Sequence, residues 1–316
     1  MKITISTPSN FNFRRTVMSH GWYALPPFEF DEDKWTLVRV IDLGSAKPVT
    51  VTISEAKRGM LNGTQASGLL TTERQARRLR TQLLVNSSRP AGKRAAEKIV
   101  RDVRHMFRLD DDMNLFYEAV SQQPEFAWIA TQGAGRLLRS PTVFEDLVKM
   151  ICTTNCSWAL TEKMVNSLVN ELGREANDGR KSFPAPEVMA QQSEKFYRDR
   201  VRSGYRAPYL KELAERVASG ELKVESWLHA ELPHDQFMKE LKCVKGVGNY
   251  AAENLLKLLG RYDGLALDSW TRAQFAKLRN QSRKASDKKI ARFYSGFKSW
   301  RGLALWCDMT RLWLEP

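Results

Sequence analysis

Leu241-Lys242-Cys243-Val244-Lys245-Gly246-Val247-Gly248-Asn249-Tyr250-Ala251-Ala252-Glu253-Asn254 sets two glycines around one apolar residue, between two segments whose apolar positions recur at helical spacing. Glycines let the backbone turn sharply there while Val247 plugs the space between the helices, and the small Ala251 and Ala252 allow close packing. Such a turn leaves N–H groups free at the start of the second helix. Those donors, the helix dipole behind them and the charge of Lys245 make Lys245, Gly246, Val247 and Gly248 a candidate phosphate site. An ordinary tight turn has the same composition, so the flanking sequence has to decide.

Twenty-two residues beyond Gly246 lies Asp268, within Leu265-Ala266-Leu267-Asp268-Ser269-Trp270-Thr271-Arg272. Asp ahead of a helix is a common N-cap, and capping would also fix a carboxylate in place. Val244-Lys245-Gly246-Val247-Gly248 followed by this aspartate resembles the helix-hairpin-helix superfamily of base-excision DNA glycosylases, which includes 8-oxoguanine and alkylpurine enzymes. The resemblance implies a helical fold with a cleft between two helical domains, duplex DNA containing a damaged or modified base as partner, and Asp268 as catalytic residue. One anion suits that chemistry, because cleaving a glycosidic bond passes through an oxocarbenium-like sugar. At about 4 Å and an effective dielectric near 20 the attraction is about 4 kcal/mol, roughly a thousandfold in rate.

Superfamily members that also cut the strand carry a lysine two residues after the second hairpin glycine, and its amine forms a Schiff base with the sugar. Tyr250 stands there instead. Lys257, the next lysine along that helix, is two turns farther, about 10 Å up the axis, and is expected to point away from Asp268. Hydrolysis without strand cleavage follows, with a lyase using another amine and a non-catalytic DNA-binding hairpin as the alternatives.

The resemblance extends to Arg139-Ser140-Pro141-Thr142-Val143-Phe144-Glu145-Asp146-Leu147-Val148-Lys149-Met150-Ile151-Cys152-Thr153-Thr154-Asn155, a helix ending in a DNA-inserting loop, and to the turn Gly204-Tyr205-Arg206-Ala207-Pro208-Tyr209. It implies that Asn155, Tyr205 and Arg206 fill the gap left by a flipped base and contact the base opposite, as flipping requires. It also implies a base pocket built from Tyr250, Trp270, Leu305 and Met309, with Leu305 where 8-oxoguanine enzymes place a base-reading glutamine.

Composition agrees with a nucleic-acid partner: 316 residues carry 50 Lys and Arg against 36 Asp and Glu, a net charge of +14. Basic residues concentrate between Lys57 and Arg104 and between Arg272 and Arg301. Trp35–Ile41 and Val49–Ile53 read as strands of a small antiparallel sheet. From Thr72 onward strand patterning stops, and helices are placed at Thr142–Ile151, Trp158–Leu172, Tyr209–Ser219, Asp235–Cys243, Tyr250–Leu259, Trp270–Leu278 and Trp300–Trp313. The fold class is therefore mostly α with a small N-terminal antiparallel sheet. Three units are expected: residues 1–105, 106–232 and 233–316. Asp110 to Asp112 read as an acidic helix start. Four scattered cysteines suit neither disulfides nor a zinc set. No metal or cofactor is expected, beyond a monovalent cation allowed at the hairpin. With no long apolar run or signal peptide, the expectation is a cytoplasmic monomer.

Overall fold

The computed structural model describes residues 1–56 and 81–314. Its N-terminal part is a five-stranded antiparallel sheet of β1 (Lys2–Ser6), β2 (Phe28–Asp31), β3 (Thr36–Leu43), β4 (Ala46–Glu55) and β5 (Gln82–Ser87), in the order β1-β5-β4-β3-β2. A short helix, α1 (Phe13–Val17), lies between β1 and β2. The two expected strands are β3 and β4. The expectation that strands end before Thr72 is corrected by β5, which pairs with β1 through Ile3↔Val85 and with β4 through Ile53↔Val85. Six residues beside a Ser-Ser-Arg-Pro stop carry little pattern alone; long-range pairing and the burial of Leu83 and Val85 make the strand.

Beyond the sheet the chain is helical. In order come α2 (Lys93–Met106), α3 (Asn114–Ser121), α4 (Ala127–Thr131), α5 (Val143–Thr153), α6 (Trp158–Leu172), α7 (Pro186–Ala190), α8 (Glu194–Asp199) and α9 (Ala207–Ala218). After them follow α10 (His234–Lys242), α11 (Asn249–Leu258), α12 (Ser269–Arg279), α13 (Asp287–Phe293) and α14 (Arg301–Thr310). The expected helices match these to within a turn because their caps are local: Thr142 accepts from Glu145 N and Ser157 from Leu160 N, and ahead of α3 Asp112 Oδ1 accepts from Asn114 N at 2.9 Å in the turn that leads into the helix. All four cysteines are free thiols. Among the described residues no helix is long and apolar enough to cross a membrane.

α5 runs through the core and is buried on every side from Val143 to Cys152, charged residues included. Glu145 takes both terminal nitrogens of Arg39 from β3, at 2.8 and 2.5 Å, and Lys149 at 2.7 Å, which ties the sheet to the helices. Asp146 accepts from Trp22 Nε1 at 2.7 Å and Ser140 N at 2.9 Å, and burial pushes its carboxyl up to about 6. Of the expected basic clusters, residues 57–80 lie outside the described residues. Much of the remainder is internally paired: Lys98 with Asp102, Arg272 with Asp287, and Arg279 with Asp308.

Candidate active site

The hairpin joins α10 to α11. Val244 and Val247 are buried in its turn, and Val247 N donates to Val244 O at 3.1 Å. Gly246 is required on two counts: its φ is +86°, and a Cβ there would lie 2.8 Å from the Tyr209 ring. Gly248 differs. Its φ of −87° suits any residue and nothing lies within 4 Å of where a Cβ would stand, so the backbone turn does not need it. It leaves the N-terminus of α11 bare, with no side chain capping it. Lys245 is 64% exposed and pairs with Glu212 at 2.6 Å.

Asp268 is the N-cap of α12. Its Oδ1 accepts from Thr271 N at 2.7 Å and Thr271 Oγ1 at 2.8 Å, while Thr271 Oγ1 accepts from Asp268 N at 2.8 Å. The carboxylate is thus held in one orientation. The approaching loop is also held: Ala266 adopts a φ of +51° and its N–H donates to Glu253 of α11, so hairpin and aspartate form one unit. Gly302 completes it, because a Cβ there would lie 1.9 Å from Gly264 O, and the start of α14 packs directly on this loop. Tyr250 faces Asp268: burial first, then the neighbouring carboxylate, pushes its phenol up to about 12. It is a neutral donor near neutral pH.

Lys257 does not point away. It lines the same cleft as Asp268, is only 2% exposed, donates from Nζ to Leu265 O at 3.3 Å, and sits 5.2 Å from the Trp306 ring centroid. Among the described residues no carboxylate lies within 4.0 Å of Nζ. Burial pushes the amine down to about 8, against the pull of Glu253 and Asp268. The axial rise is correct, but seven residues is about 20° short of two full turns, which returns Lys257 to the face of Tyr250. Its side chain then leans back toward the N-terminus of α11.

These groups open into a cleft of about 1180 Å³. One wall is aromatic: Trp270 lies 5.8 Å from Trp306 and 5.7 Å from Trp313, centroid to centroid. Leu305 and Met309, expected in the base pocket, are core residues outside this lining. They lie one turn apart on the face of α14 that meets the protein interior, whereas Trp306 turns to the cleft, where Trp313 joins it from the 3-10 turn Arg311–Leu314 that follows α14. Across the cleft, Asn155 at a φ of +47° reaches Tyr205 Oη at 3.4 Å, and both line the opening. Arg206 is corrected to an internal brace: it is buried, donates to the Thr154 carbonyl at the end of α5, and lies outside the cleft lining. Its guanidinium is consumed by that carbonyl and by the Tyr205 ring.

Several lining residues were beyond the sequence. Trp158 is 40% exposed in the cleft and bears on Gly21. His20 and Trp22 reach the cleft from the N-terminal region, with His20 Nε2 bonded to Leu138 O and burial pushing the ring down to about 4, so it is neutral. The exposure of Trp158, an aromatic just past a helix cap, has a faint local signal; nothing local marks His20.

No family model matches the chain. It is 26% identical over 226 residues to a Bacillus subtilis protein named DNA-3-methyladenine glycosylase, covering 70% of this chain and 74% of that one. In structure it resembles the 8-oxoguanine glycosylase/lyase of Clostridium acetobutylicum (TM-score 0.69, 19% identity, 98% of this chain and 95% of that one). It resembles the 3-methyladenine DNA glycosylase of Archaeoglobus fulgidus to the same degree (TM-score 0.68, 19% identity, 98% of each). The chain therefore has the fold of the helix-hairpin-helix glycosylases, and the two structures, named for different bases, do not choose between them.

Proposed function

We propose that this chain, built on the helix-hairpin-helix glycosylase fold, is a monofunctional DNA glycosylase that hydrolyses the bond between deoxyribose and a flipped, damaged or modified base in duplex DNA. The observation that carries the assignment is Asp268, held by its own helix cap against Tyr250 in an aromatic cleft directly behind the hairpin. With phosphate on the bare N-terminus of α11 and beside Lys245, the sugar of a flipped nucleotide comes to Asp268 and its base to the tryptophans. As the C1′–N bond breaks, its electron pair leaves with the base and positive charge develops on the sugar, next to the carboxylate. Water adds to C1′ and its proton passes to the Asp268 carboxylate and from there to the departed base, leaving an abasic site and a neutral free base. Asn155 and Tyr205 are placed to occupy the vacated stack.

Tyr250 cannot form an imine, so water is the nucleophile. One observation favours the lyase reading: Lys257 brings an amine into the same cleft. It is buried at the floor and bonded to Leu265 O, while Asp268 and Tyr250 stand at the sugar, so we assign it no bond to C1′. Asp268→Asn tests the main assignment. Base release from lesion duplexes should fall by roughly a hundredfold or more with DNA affinity retained. Near-normal turnover removes Asp268 from the mechanism. Borohydride trapping of wild-type enzyme on its substrate should give no adduct; an adduct lost in Lys257→Met establishes the lyase.

A further inference from the structure

Lys257 is a titratable group of the cleft that hydrolysis at Asp268 leaves unused. Its ammonium has three donors, one of which meets Leu265 O; among the described residues no carboxylate pairs with it, and the ring of Trp306 covers one side. A lysine buried to 2% exposure with two donors unclaimed is costly unless something else claims them. The charged groups around it do not: Glu253, one turn earlier on α11, holds Ala266 N, Asp268 takes Thr271 through Oδ1, and Arg108 and Arg139 are bonded to the Leu258 carbonyl at the end of the helix. From α14, Cys307 is a buried thiol with its pKa pushed up to about 12, and His20 is neutral. Lys257 and the aromatic wall line one cavity.

We propose that Lys257 reads the flipped base: its ammonium donates to an acceptor on the edge of a base stacked against the Trp270, Trp306 and Trp313 wall, so the chain is specific for uncharged bases with a carbonyl or ring-nitrogen acceptor there and against cationic N-alkylpurines. The inference rests on the glycosylase assignment above and narrows its substrate class. Attraction grows as the bond breaks, because the departing base accumulates negative charge next to the ammonium. A base that is already cationic meets like charge in a water-poor site, which disfavours it at least about tenfold. Lysine at this depth also sets a pH limit, since the donor loses its charge as pH rises through about 8.

The test is single-turnover base release from duplexes carrying 8-oxoguanine, hypoxanthine or uracil, against duplexes carrying 7-methylguanine, for the full chain and for Lys257→Met. Wild type should act on at least one neutral base in preference to 7-methylguanine and lose rate above about pH 8. Lys257→Met should lose about tenfold to a hundredfold on that base, lose the alkaline limb, and keep its affinity for an abasic-analogue duplex. Retained affinity shows that the variant is folded, and Lys257→Arg, which keeps a donor, should recover part of the rate. Preference for 7-methylguanine by wild type, or a neutral-base rate unchanged in Lys257→Met, overturns the base-reading role and leaves the glycosylase assignment standing. Release of no base from any duplex, by contrast, brings down the glycosylase assignment and this inference with it.

Discussion

Two lysines are buried among the described residues, and their surroundings are opposite. Lys149, fully buried on α5, meets Glu145 at 2.7 Å, and the same carboxylate takes Arg39 from the sheet. Lys257 on α11 is as deeply buried, but its ammonium has a single carbonyl and a tryptophan face. A buried charge that is paired with a counter-charge belongs to the architecture, and removing its partner is what harms the protein. An unpaired one is held at the expense of stability by the fold around it, and in a cleft it is available to a ligand.

Breaking the paired network should give the largest effect. Glu145→Ala leaves Arg39 and Lys149 buried without a counter-charge and should destabilise the chain by about 3 to 5 kcal/mol in denaturant melts. Burial alone would raise the Glu145 carboxyl, yet Arg39 and Lys149 outweigh it and hold it down to about 2. A depressed carboxylate contributes stability that is complete above its ordinary value near 4.5 and is lost as pH falls toward 2. Wild type should therefore lose stability across that window, and Glu145→Gln should flatten the loss.

The unpaired lysine should behave in reverse. Its folded value of about 8 lies below the ordinary 10.5, so the unfolded chain binds the proton more tightly, and stability rises with pH from about 8 to 10.5. Near pH 7 that difference amounts to about 3 kcal/mol against folding. Lys257→Met should melt at the same temperature as wild type or higher, even as it loses base release. A large fall in its melting temperature contradicts the contrast between the two lysines.

The two hairpin glycines extend the same distinction to the backbone. Gly246→Ala meets both a positive φ and the Tyr209 ring and should cost about 1 to 3 kcal/mol in stability. Gly248→Ala should change stability by less than about 0.5 kcal/mol while weakening DNA binding several-fold, because the added methyl covers the bare helix end. Smallest of all is the change at Lys245. Lys245→Ala should lower the salt dependence of DNA binding by about one unit, and Glu212→Gln, which releases Lys245 from its ion pair, should tighten binding modestly at low salt. An unchanged salt slope in Lys245→Ala places the phosphates elsewhere.

The sequence determined those features whose causes lie within a turn or two of chain. Thr142, Ser157 and Asp268 announce their helices because a cap bonds only three residues ahead, and Val244 to Gly248 announce a hairpin because its glycine and its apolar plug are adjacent. Asp268 was legible as a cap for that reason. Tertiary structure alone decided which face of each helix meets the cleft. Leu305 and Trp306 are neighbours in sequence, but a rotation of about 100° per residue sends one to the core and the other to the opening. The same rotation brings Lys257 back to the face of Tyr250. Long-range contacts turned Arg206 inward to the end of α5, brought His20 to the cleft from far along the chain, and made β5 a strand between two partners. Local hydrogen bonds and backbone preferences are written in adjacent residues, whereas burial depends on what the rest of the chain packs against, and it is that packing which placed one lysine in the lining of this cleft with no carboxylate against it among the described residues.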